Sequence, residues 1–477
     1  MISFTQQLAG ILPEILLVAT AIFALLSDLL RKEKEPSGVV TVSILGLVGA
    51  GLVSALLWDR GGPAFSNMVL ADNFSAVFRA LLCFVGAITV LVSPAYLQHR
   101  KIRLGEYYPL LIIAVFGMMV MVSAADLLLF FLGLEIMSIA LYVLACLDRR
   151  DVRSTEAALK YFILGAFSTA FLLFGIALLY AVTTSTSYEG IAGALRTAPL
   201  EPITVAGIGL LLIGFAFKVA AVPFHFWSPD VYQGAPTPVT AFMSVGPKAA
   251  AFVALIRVFG IALESTAGIW MDALAVMAML TMTLGNIVAL RQQNIKRMLA
   301  YSSIAHAGYL LIGIVSAGPR AFAAMSFYLV AYALMNLGAF TVAMLVNRRG
   351  EGDYLLDDYK GAGFAHPLLG ATMTIFLFSL AGIPPTAGFF GKLYLFSAAM
   401  EKGHILLVVV AVLNSALAAY YYLRIIGYMY MVRPEHELKP VPRLSGYAFT
   451  LLLTSFLILL LGSFPAGMLN LLLAALP

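Results

Sequence analysis

Apolar runs of about 20 residues recur from one end of this chain to the other, each long enough to cross the roughly 30 Å hydrocarbon core of a bilayer as a helix. A water-soluble globule is excluded: 62% of the 477 residues are hydrophobic and only 11% are charged, against about 25% charged in a soluble domain. A transmembrane barrel would alternate apolar and polar residues in segments of about 10, whereas residues 451–461 read LLLTSFLILLL. Helices are the remaining way to satisfy a backbone in lipid. The expected fold is therefore all-α and polytopic, with about fourteen spans starting near residues 11, 38, 74, 106, 125, 158, 204, 237, 269, 298, 320, 366, 403 and 446.

Charge orients the spans. Alternate loops at residues 31–34, 100–103, 149–153, 291–297, 348–360 and 433–443 hold eighteen of the 29 lysines and arginines. The opposite loops hold Arg60, Arg196, Arg320 and Lys402. The positive-inside rule makes the rich side cytoplasmic and puts both termini on the opposite, outer side. The net charge of +5 reflects this bias and does not point to nucleic acid. Residues 1–9 lack a basic leader region and are expected to be retained. Cys83 and Cys146 lie in separate apolar segments without metal-ligand spacing, and no phosphate-cradling glycine motif occurs.

Seven cations fall inside apparent spans: Arg79, Lys160, Lys218, Lys248, Arg257, Lys392 and Arg424. Each centrally placed charge costs about 2.5 to 3.5 kcal/mol on insertion scales. Counting from the expected helix starts, Lys218 and Lys248 sit roughly 15 to 21 Å deep. Lys392 is similarly deep, and Glu135 is the most central carboxylate. Static ion pairs and snorkelling remain open for Lys160, Arg79 and Arg424, nearer the span ends. For the deep set, three lysines against one carboxylate favour function.

Prolines add a second signal. Lys218 is followed by Pro223, Pro229, Pro236 and Pro238, and Lys392 is preceded by Pro384 and Pro385. Helices 7 and 12 should both be interrupted beside their lysine, as transporters interrupt helices to build ion sites. Two broken, lysine-bearing helices 174 residues apart suggest five-helix repeats. An odd helix count makes the second repeat insert upside down. The expected organisation is residues 1–105 as three leading helices, 106–262 and 263–432 as inverted repeats, and 433–477 as a closing helix.

His306 falls in the tenth span. Alone it reads as a packing histidine; between two buried lysines it is a natural relay, with two ring nitrogens and a near-neutral pKa. Desolvation disfavours the charged form of an amine, so a buried lysine can load and release protons. A carboxylate about 4 Å away contributes about 4 kcal/mol at an effective dielectric near 20, while moving a proton against 100 mV costs about 2.3 kcal/mol. Making and breaking a Glu135–Lys218 pair is thus enough to drive a proton, with Lys248 and His306 connecting to Lys392.

Residues 214–242, GFAFKVAAVPFHFWSPDVYQGAPTPVTAF, and 293–306, QNIKRMLAYSSIAH, resemble the antiporter-like subunits of proton-pumping NADH:quinone oxidoreductase, respiratory complex I. The DVYQG variant, the absence of a long lateral helix and a lysine at 392 are similar to the N branch of that family. The resemblance covers nearly the whole chain. It implies a proton-conducting axis of Glu135, Lys218, Lys248, His306 and Lys392, and it adds Lys160. His225 and Asp230 match the family pattern as accessory positions. The resemblance also implies that flavin, iron-sulfur clusters and quinone reside in other subunits, with no cofactor in this chain. It further implies a bacterial inner membrane, which puts both termini on the periplasmic side, and partners that are other membrane-arm subunits, including subunits M and K, within the lipid bilayer. Rival readings are a subunit of a multisubunit sodium/proton antiporter, a structural spacer, and a stand-alone solute carrier, for which no solute pocket is evident.

Overall fold

A computed structural model describes residues 4–30, 37–102, 105–197, 200–347, 353–434 and 445–476. Several loop cations counted for orientation, namely Arg31, Lys32, Lys34, Arg103, Arg348, Arg349, Lys439 and Arg443, lie outside the described residues, as do positions 1–3 of the N-terminal segment.

The described chain is helical nearly throughout. In order the helices are α1 (Phe4–Gly10), α2 (Leu12–Leu29), α3 (Ser37–Leu56), α4 (Asn73–His99), α5 (Tyr107–Ser123), α6 (Leu127–Ala145) and α7 (Val152–Thr183). There follow α8 (Tyr188–Thr197), α9 (Pro202–Lys218), α10 (Trp227–Gly234), α11 (Thr237–Arg257), α12 (Ala267–Leu290), α13 (Ile295–Ser316) and α14 (Pro319–Val346). The last are α15 (Ala362–Ala365), α16 (Pro367–Ala381), α17 (Ala387–Glu401), α18 (Ile405–Met431), α19 (Ser445–Ser463) and α20 (Pro465–Ala475). Among the described residues the only strands are two-residue pieces, β1 (Pro63–Ala64) and β2 (Val69–Leu70), which pair antiparallel.

Eleven of these helices are long and apolar enough to cross a membrane, and four shorter apolar helices accompany them. Two of the shorter ones, α9 and α16, are the leading halves of the expected broken helices. Their ends follow from the sequence. Chain direction changes after Lys218, through Ala220 at φ 57° and Pro223, before α10 begins. Gly382, at φ 85°, closes α16 in the left-handed conformation that a residue without Cβ adopts freely. Other boundaries sit a few residues from expectation: the sixth span begins at Val152 and the tenth at Ile295, because Asp151 and Asn294 cap them, each accepting from a backbone N–H two or three residues on. The short helices α8 and α20 were not foreseen as separate elements.

Apolar side chains face both inward and outward. Every residue of α11 is buried, and α13 and α14 are nearly so, while Leu45, Phe167 and Phe174 on outer helices lie open as lipid-facing residues do. Several helix pairs, α5–α6, α7–α9 and α12–α13 among them, cross with backbones in contact. At α5 and α6 a Cβ on Gly117 would lie 2.5 Å from the Met137 nitrogen, and at α12 and α13 a Cβ on Gly308 would lie 2.6 Å from the Met282 nitrogen. Small residues at such crossings let helices approach where lipid supplies no hydrophobic drive. The second members of α5–α6 and α12–α13 are also tied in the same way. The cap residue Asp126 bridges to Ser187 beyond α7, and the cap residue Asn294 bridges to Leu355 beyond α14.

Candidate functional site

Lys218 is the final residue of α9, further along its helix than the count from sequence gave, and its side chain is 7% exposed. Its ammonium donates to Ser138 Oγ on α6 at 2.7 Å and lies 6.0 Å from the Tyr142 ring centroid. The break beyond it is pinned by polar contacts: Trp227 Nε1 donates to the Phe217 carbonyl at 3.0 Å, and the Val222 amide to Thr281 Oγ1 at 2.9 Å. Freed backbone groups at membrane depth are therefore satisfied by protein.

Glu135 stands one turn before Ser138 on α6 and is half-buried. One of its carboxylate oxygens, Oε1, is buried without a hydrogen-bond partner. The expected Glu135–Lys218 contact is not made: Ser138 takes the ammonium instead, because the i+3 spacing puts its hydroxyl beside the end of α9. Glu135 stays within electrostatic reach of Lys218.

Three of the remaining candidates converge on α13. Lys248, buried in α11, donates to both the carbonyl and the hydroxyl of Ser303 at 2.5 Å and lies 5.4 Å from the Tyr332 ring centroid. His306, one turn on from Ser303, is bonded at both nitrogens: Nδ1 to the Tyr328 hydroxyl at 2.6 Å and Nε2 to the Tyr422 hydroxyl at 3.1 Å. Tyr422 also bonds Ser302. Tyr309, the next turn of α13, lies face-on to the Lys392 ammonium, 5.0 Å from its ring centroid. Positions 302, 306 and 309 fall on one helical face.

Lys392 lies on α17, beyond its break. Its ammonium donates to the carbonyls of Leu380 at 3.1 Å and Ala381 at 3.0 Å and to Ser415 Oγ at 2.8 Å. Those carbonyls are the last of α16, where the helix dipole presents its negative end. The first break thus places its lysine at the end of the leading half-helix, and the second places its lysine across from that end.

Lys160 lies nearer the surface than the deep lysines. Its side chain is 41% exposed and is ion-paired to Glu156 at 2.6 Å and Asp230 at 2.9 Å. Asp230 is shared with Arg297 at 2.8 Å. His225 is buried, its Nδ1 without a partner, with its ring against Phe226. The other arginines of the apparent spans are engaged by protein groups: Arg79 pairs with Glu14 at 2.6 Å, Arg257 with Asp72 at 2.7 Å, and Arg424 donates to the carbonyls of Leu290 and Gln292.

Sequence reasoning missed Lys296, counted as a loop cation. It is fully buried at the start of α13, its ammonium donating to the Ala235 carbonyl at 2.7 Å. It also passed over the neutral partners. Asn286 bonds Tyr309 at 3.1 Å, Asn414 at 3.3 Å and Tyr421 at 3.0 Å. Hydroxyls spaced three from a titratable residue, as Ser138 is from Glu135 and Ser303 from His306, were the available signal.

Residues 124–418 match the model of the NADH:quinone oxidoreductase/Mrp antiporter transmembrane family. The chain belongs to this family. The matched region contains every candidate from Glu135 to Lys392. NADH-quinone oxidoreductase subunit N of Trichlorobacter lovleyi is 48% identical over 435 residues, covering 91% of this chain and 89% of that one. Subunit N 1 of Solibacter usitatus is 43% identical, covering 98% and 96%. In structure, a chain of respiratory complex I from Thermus thermophilus with bound aureothin, 35% identical, superposes with a TM-score of 0.82 over 96% of this chain and 98% of that chain. A chain of the Mrp complex from a Dietzia species shares the fold, with a TM-score of 0.86 at 21% identity, covering 99% and 97%. The many-helix membrane architecture read from sequence is the architecture of these relatives.

Proposed function

We propose that this chain is a proton-translocating membrane-arm subunit of NADH:quinone oxidoreductase, acting as a translocase subunit with redox chemistry housed elsewhere. The observation that carries this reading is the bonding of Lys218, Lys248 and Lys392. Each ammonium is buried against hydroxyls and carbonyls, with no carboxylate among its hydrogen-bond partners in the described residues. A buried cation with no carboxylate in direct contact is costly as a structural element and well suited to giving up and regaining a proton.

The path has four stations. Lys218 on Ser138 loads first, and Glu135 sets how tightly the proton is held. Closing the Glu135 carboxylate onto the ammonium at about 4 Å adds about 4 kcal/mol at a dielectric near 20, more than the roughly 2.3 kcal/mol needed per proton against 100 mV. Lys248 passes the proton into the hydroxyls of Ser303, Ser302 and Tyr422. His306 takes it on one ring nitrogen and releases it from the other, and Lys392 is the exit station. Steps longer than a hydrogen bond run through water. Lys160, with Asp230 and Glu156, stands at the exposed mouth of this path, and His225 lies beside it.

The same reading includes fourteen spans, inverted repeats at 106–262 and 263–432 between flanking segments 1–105 and 433–477, and both termini on the periplasmic side of a bacterial inner membrane. The matched glycine crossings and cap bridges of α5–α6 and α12–α13 support the repeat. Subunits M and K are the expected neighbours. Flavin, iron-sulfur clusters and quinone are assigned to other subunits of the complex.

NADH-driven acidification of inverted vesicles carrying the assembled complex tests the reading with Lys248→Ala and Lys392→Ala. Loss of pumping in assembled complex is the expected result. Full pumping in both, or pumping that requires sodium in place of protons, would overturn it.

A further inference from the structure

The loop joining α6 to α7 packs beside the end of α4, and together they form a cleft of about 440 Å³ lined by Arg100, Lys101, Asp148, Arg149 and Arg150. Four cations face one carboxylate, and that carboxylate is already engaged: Asp148 accepts from Arg100 at 2.8 Å. Asp151, the other acidic group here, lies 3.7 Å from the same guanidinium. The Nε of Arg100 is buried without a hydrogen-bond partner. Lys101, Arg149 and Arg150 are exposed. The cleft therefore keeps a positive surplus at a membrane-helix end.

It does not stop at the helix ends. Leu147 and Arg149 also line a second cavity of about 400 Å³, which runs between α6 and α7 along Val143, Cys146, Leu159 and Phe162. Its walls are apolar and open to the outside: Val143 is 43%, Leu159 56% and Phe162 52% exposed. A basic socket opening into an apolar groove at the edge of the bilayer matches one chemistry, a phosphodiester headgroup joined to acyl chains. A free phosphate would use only the socket, and a zwitterionic lipid would gain little from the surplus cations.

We propose that this socket and groove bind an anionic glycerophospholipid, its phosphate held by Arg100, Lys101, Arg149 and Arg150 and one acyl chain lying between α6 and α7. The basic socket shares no residue with the buried lysines, and the groove meets the Lys218 site only at Tyr142, so failure of this proposal leaves the proton path standing.

The test uses the assembled complex in phosphatidylcholine vesicles doped with a photoactivatable phosphatidylglycerol whose reactive group sits in the acyl chain. Labelling is mapped to the segment 142–162. Saturable labelling there, displaced by unlabelled phosphatidylglycerol but not by phosphatidylcholine or inorganic phosphate, is expected. The double variant Arg149→Gln/Arg150→Gln, which alters exposed side chains only, should weaken it about 25-fold, two cations at about fivefold each. Labelling indifferent to headgroup charge would mean ordinary boundary lipid. Displacement by inorganic phosphate would mean a free-anion site. No labelling of this segment in the complex would mean another subunit covers it. Each of these three outcomes overturns the proposal, and the headgroup competition does so on wild-type protein alone.

Discussion

Lys218, Lys248 and Lys392 are each solvated by a serine hydroxyl, with backbone carbonyls added at Ser303 and at the end of α16. If Ser138 is the proton's first neighbour, Ser138→Ala should lower coupled turnover about tenfold, the worth of roughly 1 to 1.5 kcal/mol for one hydrogen bond, while Ser138→Thr keeps most of it. NADH oxidation by assembled complex, with and without uncoupler, reads the difference. Lys160→Ala should act otherwise. An exposed ion pair is worth about 0 to 1 kcal/mol, so the rate should fall at most about fivefold with protons per electron unchanged. The deep lysines, Glu135 and His306 were legible in the sequence because charge inside an apolar run stands out. Their neutral partners were not, because serine, tyrosine and asparagine are unremarkable in membrane helices until packing places them against an ammonium. Lys296 was hidden for the opposite reason: it stands beside Arg297 at a helix start, and only burial distinguishes it.

Among the elements, the broken helices follow directly from proline placement, and α9 and α16 end where the sequence reading puts the breaks. The capped starts at Val152 and Ile295 were misplaced because Asp151 and Asn294 cap helices that begin with charged turns. At the α12–α13 crossing, Gly308→Val should force apart backbones already in contact. Overpacking of about 1 to 3 kcal/mol would appear as a lowered melting temperature and reduced yield of the subunit. A polar clamp joins α4 to α11 through Asp72 and Arg257. Burial pushes the Asp72 carboxyl up, but the Arg257 charge and hydrogen bond outweigh it and hold the group below its ordinary value. A depressed folded-state pKa stabilises at pH above the unfolded value near 3.9, and that stability is lost as pH falls through the folded value. Wild type should therefore lose stability on acidification through this window. Asp72→Asn, about 3 kcal/mol less stable at neutral pH, should lose less further stability there, as thermal unfolding at pH 7 and pH 3 would show.

For the whole molecule, Ser302, His306 and Tyr309 line one face of α13, where α11 brings Lys248 and α17 brings Lys392, while α9 holds Lys218 apart from it, beside α6. The proposal for this arrangement is that the buried lysines carry protons. The most direct measurement is the number of protons moved per electron by assembled complex in sealed vesicles, wild type against Lys218→Ala, with NADH:quinone turnover recorded alongside. Loss of pumping together with coupled turnover is the expected result. Unchanged pumping at unchanged turnover would contradict it and make Lys218 a structural cation.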